Sequence, residues 1–174
     1  MDKIVIYCSA SSLAPQQFNK CAASVVEGLC KKGYGIVSGG TVLGTMGVIS
    51  RTTAQCGGYH KGVLPFFMKG IEFQDMSEVV WTDTMAQRKE EMRNGTAAVI
   101  ALPGGIGTLD ELVETLVLKK LDQYHGRVVV LNIDGFYNPL LELLNHYVAT
   151  GVLPAADKDL LETFDSAEEL LNSF

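Results

Sequence analysis

Short β-branched runs alternate along the chain with longer segments of helical period, and this alternation leaves few folds open. Strands joined through helices pair in parallel, and a parallel sheet is covered by helices on its faces. The predicted strands are Lys3–Tyr7, Gly35–Ser38, Lys61–Pro65, Glu78–Thr82, Ala97–Leu102 and Arg127–Ile133, with a shorter one at Leu160–Phe164. An α/β domain with a mostly parallel sheet flanked by helices is therefore expected.

The helices are marked as clearly. From Pro15 to Lys32, Phe18, Cys21, Ala22, Val25, Val26 and Leu29 recur at spacings of three and four, and Gly33 supplies a stop. After Gly107, Leu109, Leu112, Val113, Leu116, Val117, Leu118 and Leu121 cover more than half of a helix's circumference. Such a helix is either central in the core or half of a subunit interface. Asn138-Pro139 opens a helix through Ala149, and Asp165-Ser166 caps a last one to Leu171. With no repeat, linker or low-complexity stretch, residues 1–174 read as a single domain.

Composition narrows the ligands. Fourteen basic against 20 acidic residues give a net charge of -6, which argues against nucleic-acid or anionic-membrane partners, since both are bound through basic patches. An anionic ligand must then be held by a local device. Cys8, Cys21, Cys30 and Cys56 form no C-x-x-C pair, and His60, His125 and His146 lack ligand spacing, so neither a disulfide framework, a metal site nor a His-dependent triad is expected. Met1-Asp2-Lys3 runs straight into the first strand, and no apolar run is long enough for a membrane span. The expected location is cytoplasmic.

Two glycine-rich turns supply candidates for that device. Ser38-Gly39-Gly40-Thr41 through Gly44-Thr45-Met46-Gly47, and Pro103-Gly104-Gly105-Ile106-Gly107-Thr108, each follow a predicted strand and open a predicted helix. Backbone N–H groups and the positive end of a helix dipole would converge there. Otherwise, the glycines only permit tight packing of helix on sheet. Thr45-Met46 stands where a Walker A motif needs Lys-Ser/Thr, and Gly105-x-Gly107-x-x-Asp110 lacks the third glycine of a dinucleotide fingerprint. A phosphate monoester suits these turns better than a triphosphate or pyrophosphate.

Thr108-Leu109-Asp110-Glu111 has the form of a capping box, but a carboxylate beside a phosphate cradle also faces whatever sugar the phosphate carries. Within Asp83–Asn94, Met85 and Met92 mark one helix face on which Arg88 and Lys89 also fall, with Glu90, Glu91 and Arg93 away from it. The two cations either snorkel along apolar surface or point into the anion pocket as phosphate or ribose contacts. Cys8 ends the first strand as a buried thiol or a cleft residue, and Ser9, Ser11 and Ser12 either contact ligand or cap the next helix.

With these residues assembled, the chain resembles the LONELY GUY (LOG) family, cytokinin riboside 5'-monophosphate phosphoribohydrolases formerly labelled lysine decarboxylases. Pro103 to Glu111 matches the family's PGGxGTxxE and Met85-Ala86-Gln87-Arg88-Lys89 its MxxRK. The loop at Ser38–Gly47 and the turn at Gly135-Phe136-Tyr137-Asn138-Pro139 match in colinear order over nearly the whole chain. The resemblance implies a Rossmann-like, doubly wound fold, a homodimer, and catalysis by Arg88 and Glu111. It implies substrate binding by Gly39, Gly40, Met85, Lys89, Pro103, Gly104, Gly105, Gly107 and Thr108, the last four forming the 5'-phosphate turn. The first loop departs from the family: Ser9, Ala10 and Leu13 replace parts of its Cys-Gly-Ser-Ser-x-Gly, and Thr84 replaces an Asp before the Met.

The expected reaction is hydrolysis of the N-glycosidic bond of an adenine-type nucleoside 5'-monophosphate, with or without an N6-prenyl group, without metal or organic cofactor. Phe66, Phe67, Met68 and Ile71 are candidates for a prenyl pocket, a core plug or a dimer contact. Pyridoxal-dependent decarboxylation is not expected, because no lysine is set up for a Schiff base. The alternative is a non-catalytic nucleotide-binding or carrier protein on the same fold.

Overall fold

A computed structural model describes all 174 residues. In chain order the elements are β1 (Lys3–Tyr7), α1 (Gln16–Lys31), β2 (Gly35–Ser38), α2 (Gly44–Gln55), β3 (His60–Pro65), β4 (Glu78–Thr82), α3 (Met85–Arg93), β5 (Ala98–Ala101), α4 (Ile106–Lys120), β6 (Arg127–Leu131), α5 (Asn138–Ala149), α6 (Ala155–Lys158), β7 (Leu161–Phe164) and α7 (Ala167–Asn172). The seven strands form one sheet in the order β4-β3-β2-β1-β5-β6-β7. Every pairing is parallel, so the expected mostly parallel sheet is parallel throughout.

Side-chain alternation along each strand explains the two layers. Ile4, Ile6 and Ile36 point to one face and pack with Val25, Val26 and Leu29 of α1, Ile49 of α2 and Leu170 of α7. Val5, Tyr7, Val37 and Val99 point to the other, against Met92 of α3 and Leu112 of α4. Both faces are apolar, as covering helices require. Because the chain moves outward from β1 to β4 and then returns to place β5 on β1's other side, the strand order reverses there. The crevice at the carboxyl ends of β1 and β5 is where ligands collect in such sheets.

Two local expectations are corrected, and one short helix is added. The strand expected to run to Ile133 ends at Leu131, because the buried Asn132 side chain accepts the Tyr137 N–H and turns the chain toward α5. The four-residue α6 is too short to leave a period in sequence. The helix expected after Gly107 begins at Ile106 with Gly105 as its N-cap and no side-chain cap, so no Thr108–Glu111 capping box forms. Thr108 stands at the third helical position and Glu111 one turn further in. A capping box occurs instead on α3, where Thr84 accepts from the Gln87 N–H and the Gln87 side chain returns to Thr84.

Candidate active site

Helix α3 follows the edge strand β4 and α4 follows β5, with three strands of the sheet between them, and the two helices meet through surfaces of opposite charge. Arg88 and Glu111 are both buried, and Arg88 Nη1 donates to Glu111 Oε1 at 2.6 Å. Arg88 Nε donates to the Val63 carbonyl at 3.0 Å, tying the guanidinium to the end of β3. Its third nitrogen lies against Gly39: a Cβ there would come within 2.3 Å of Arg88 Nη2. Gly39 is therefore needed to admit the guanidinium, whatever contact it makes with substrate.

Lys89 bonds Asp110 Oδ2 at 2.9 Å and also Glu114, and Arg93 Nη2 bonds Glu114 Oε1 at 2.7 Å. Neither of the readings open for Lys89 holds: its ammonium neither snorkels to water nor is free for phosphate, because two carboxylates of α4 hold it. Arg93, expected to face away, is 8% exposed and joins the same lattice. Arg93 was not legible because its partner lies on another helix. Met85, at the open end of α3, is 42% exposed, whereas Met92 is buried.

Charge follows burial in this cluster. Burial pushes the Glu111 carboxyl up, and the neighbouring Arg88 opposes that rise. Glu114 shows the contrary balance: burial raises it, but Lys89 and Arg93 together hold it below the ordinary range. Lys89 is held above its ordinary value, chiefly by Glu114. Cys8 is buried near both Arg88 and Glu111, and burial drives its thiol far up, leaving it a packing residue.

Of the two glycine-rich turns, only one presents an open helix end. At α2, the Met46 N–H is taken by the Ser9 carbonyl at 3.1 Å, and Gly44 packs closely on Ala10 and Ser11. The first loop thus caps α2; the Ser9 and Ser11 hydroxyls accept N–H groups two residues on, from Ser11 and Leu13. At α4, by contrast, no side chain caps the helix, and open space lies where Gly105 and Gly107 would carry a Cβ. Gly104 has no such room, because the buried Thr108 side chain folds back onto it, 2.2 Å from a Cβ position. Unspent N–H groups and a positive helix end face the crevice here.

An apolar groove of about 520 Å³ opens from this turn between α4 and α5, lined by Gly104, Gly105, Ile106, Leu109, Tyr137 and Leu140 among others. A larger concavity of about 1080 Å³ lies on the far side of α3, but Glu90, Glu91 and Glu114 line it, and such a wall repels anions. Phe66 and Phe67, 56% and 71% exposed, form no core plug; Phe66 stacks on Trp81 with ring centres 5.8 Å apart. His60 is a buried structural residue bonded to Ser38 Oγ at 2.8 Å, and burial lowers its imidazole to about 4.

Comparison with known proteins gives a consistent grouping. Residues 46–174 match a family model described as possible lysine decarboxylase. A cytokinin riboside 5'-monophosphate phosphoribohydrolase of Arabidopsis thaliana is 32% identical over 171 residues, 97% of this chain and 80% of its own. A second one from that plant is 30% identical over 171 residues, 97% of this chain and 75% of its own. Among solved structures, a molybdenum cofactor binding protein of Rippkaea orientalis superposes with a TM-score of 0.73 at 21% identity, covering 99% of this chain and 97% of that one. At that identity the likeness speaks to fold alone.

Proposed function

The chain belongs to the LOG family of phosphoribohydrolases, and from that premise we propose that it hydrolyses the N-glycosidic bond of purine nucleoside 5'-monophosphates to free base and ribose 5-phosphate. The carrying observation is the buried Arg88–Glu111 pair set beside the one open, glycine-rich helix end. The substrate phosphate sits on the turn Pro103–Thr108, where N–H groups and the dipole of α4 offset its charge without any free lysine. This reconciles an anionic substrate with a net charge of -6.

In the reaction the C1'–N bond breaks, its electron pair leaves with the base, and the base nitrogen takes a proton from solvent, balanced by the proton that the attacking water loses through Glu111 to solvent. Positive charge builds on the ribose as an oxocarbenium-like state, as in glycoside cleavage generally. Glu111 as carboxylate stabilises that charge and accepts a proton from the water that adds to C1'. Arg88, fixed by Val63 and Glu111, presents its remaining N–H groups to the ribose hydroxyls. Phosphate binding, remote from the broken bond, holds the sugar in place for attack. Met85, Gly39 and Gly40 complete the sugar and base side, while Lys89 acts by holding α3 against α4.

The two buried lysines give no support to decarboxylase chemistry. Lys61 is held by Glu91, and Lys89 by Asp110 and Glu114, so neither is the free amine that a Schiff base needs. Incubation with AMP and with its N6-isopentenyl analogue tests the proposal. Equal amounts of free base and ribose 5-phosphate are expected, and the ratio of the two rates defines the preferred base. Tight AMP binding with no base released by folded protein would instead establish the carrier reading.

We also place this enzyme in the cytoplasm, which suits four free thiols, as a homodimer. Ile106, Leu109, Val113, Val117 and Leu121 leave an exposed apolar stripe along α4, continued by Leu143 and Tyr147 of α5. A stripe of that length on a soluble chain marks an interface. Sedimentation is expected to give twice the 18.8 kDa chain mass, and Val113→Glu to give the monomer; a monomeric wild type would refute the assignment.

A further inference from the structure

The phosphate turn has an unusual weakness: Gly104, Gly105 and Gly107 carry no side chains that could hold its N–H groups in position. The restraint comes from behind. Tyr137 is 5% exposed, and its hydroxyl donates to the Leu102 carbonyl at 2.7 Å. That carbonyl belongs to the peptide leading into Pro103, whose ring fixes its own φ. Rotation of this peptide plane would swing Gly104 and the first N–H groups of α4. The tyrosine thus grips the turn at its entrance.

Tyr137 is itself anchored. Its N–H donates to Asn132 Oδ1 at 2.7 Å, and Asn132 Nδ2 donates to Asn138 Oδ1 and Asp165 Oδ1, each at 3.0 Å. The Asn132 N–H in turn bonds the Phe164 carbonyl at 2.8 Å. A continuous chain of hydrogen bonds therefore runs from the end of β7 through the end of β6 to the exit of β5. Resting on the reading of Pro103–Thr108 as the phosphate site, we propose that Tyr137 is a positioning residue that holds this turn in its phosphate-binding form, with Asn132 as its anchor.

A buried tyrosine normally finds a partner for its hydroxyl wherever it lies, so the test must separate bracing from packing. Tyr137→Phe keeps the ring and removes one oxygen. The expected result is a KM for AMP raised about fivefold to tenfold, the scale of one lost hydrogen bond, with kcat changed less than about threefold. Competitive inhibition by ribose 5-phosphate should weaken by the same factor, while inhibition by free adenine, which has no phosphate, should not change. Asp165→Ala, at an exposed position, should move the same two quantities in the same direction by about twofold, and it carries the test if Tyr137→Phe does not fold.

Lowered melting temperature with unchanged KM and unchanged ribose 5-phosphate inhibition, or equal weakening of ribose 5-phosphate and adenine, would overturn the brace. Failure of the underlying reading looks different: the wild-type protein itself would then hydrolyse adenosine as readily as AMP.

Discussion

Replacing Glu111 by glutamine is expected to lower kcat by about 10²- to 10⁴-fold, the range for removing a positioned acid–base group, with KM for AMP changed little. The side-chain amide has nearly the same shape, and its oxygen still accepts from Arg88 Nη1, so the bond now measuring 2.6 Å is retained. Glu111 lies inside α4 and caps nothing, since Gly105 is the N-cap. Lost activity therefore reports lost charge. The pH profile gives a second readout. Burial raises the Glu111 carboxyl above its ordinary 4.5, and the reaction uses the ionised form, so wild-type kcat/KM should fall as pH drops through that raised value. The limb should sit at higher pH than for an exposed carboxylate. The small residual rate of Glu111→Gln should be flat over the same range, and a variant retaining more than about a tenth of wild-type kcat would remove Glu111 from the chemistry.

What the sequence made legible, and what it hid, follows from the range of the forces involved. Strand and helix periods are local, so six of the seven strands lie within one residue of their expected bounds at each end, and β6 within two. The crossing point of the sheet, and with it the crevice, follows from helices linking parallel strands. The site chemistry was legible as two motifs but not as a geometry. Periodicity located Arg88 and Lys89 on the inner face of α3 but said nothing of the carboxylates opposite, because a partner on another helix leaves no trace in spacing. For that reason Lys89 read as a ligand for anions and Arg93 as outward-facing. Likewise two glycine turns looked equivalent, and only the Ser9 carbonyl on the Met46 N–H distinguishes the filled helix end from the open one. Backbone carbonyls are the same in every residue, so such a contact has no sequence signature. The misplaced capping box has the same origin: Thr-x-x-Glu has the right letters, but the glycine turn starts the helix three residues earlier, with Gly105 and not Thr108 as the N-cap.

The second large effect concerns stability. Arg88→Met is expected to destabilise the fold by about 3–5 kcal/mol at neutral pH, because it strands a buried carboxylate. Arg88→Met combined with Glu111→Leu is expected to recover most of that loss, or to exceed the wild type, since apolar isosteres carry no desolvation cost. Urea unfolding of the wild type and these two variants at two pH values tests both statements. In the single variant the folded Glu111 carboxyl lies still further above 4.5, while the unfolded one is ordinary. The unfolded state then releases its proton first, so stability falls as pH rises from about 4.5 through the raised folded value and levels off above it. The defect should therefore shrink in acid and be largest above neutrality, and the double variant should show no such slope. Neither variant should release base from AMP. A double variant as unstable as the single would show that the ion pair is held for the fold. Recovery of stability without activity means that the fold carries a buried charge pair it would be more stable without, and the site it forms beside the open end of α4 is then the reason for keeping it.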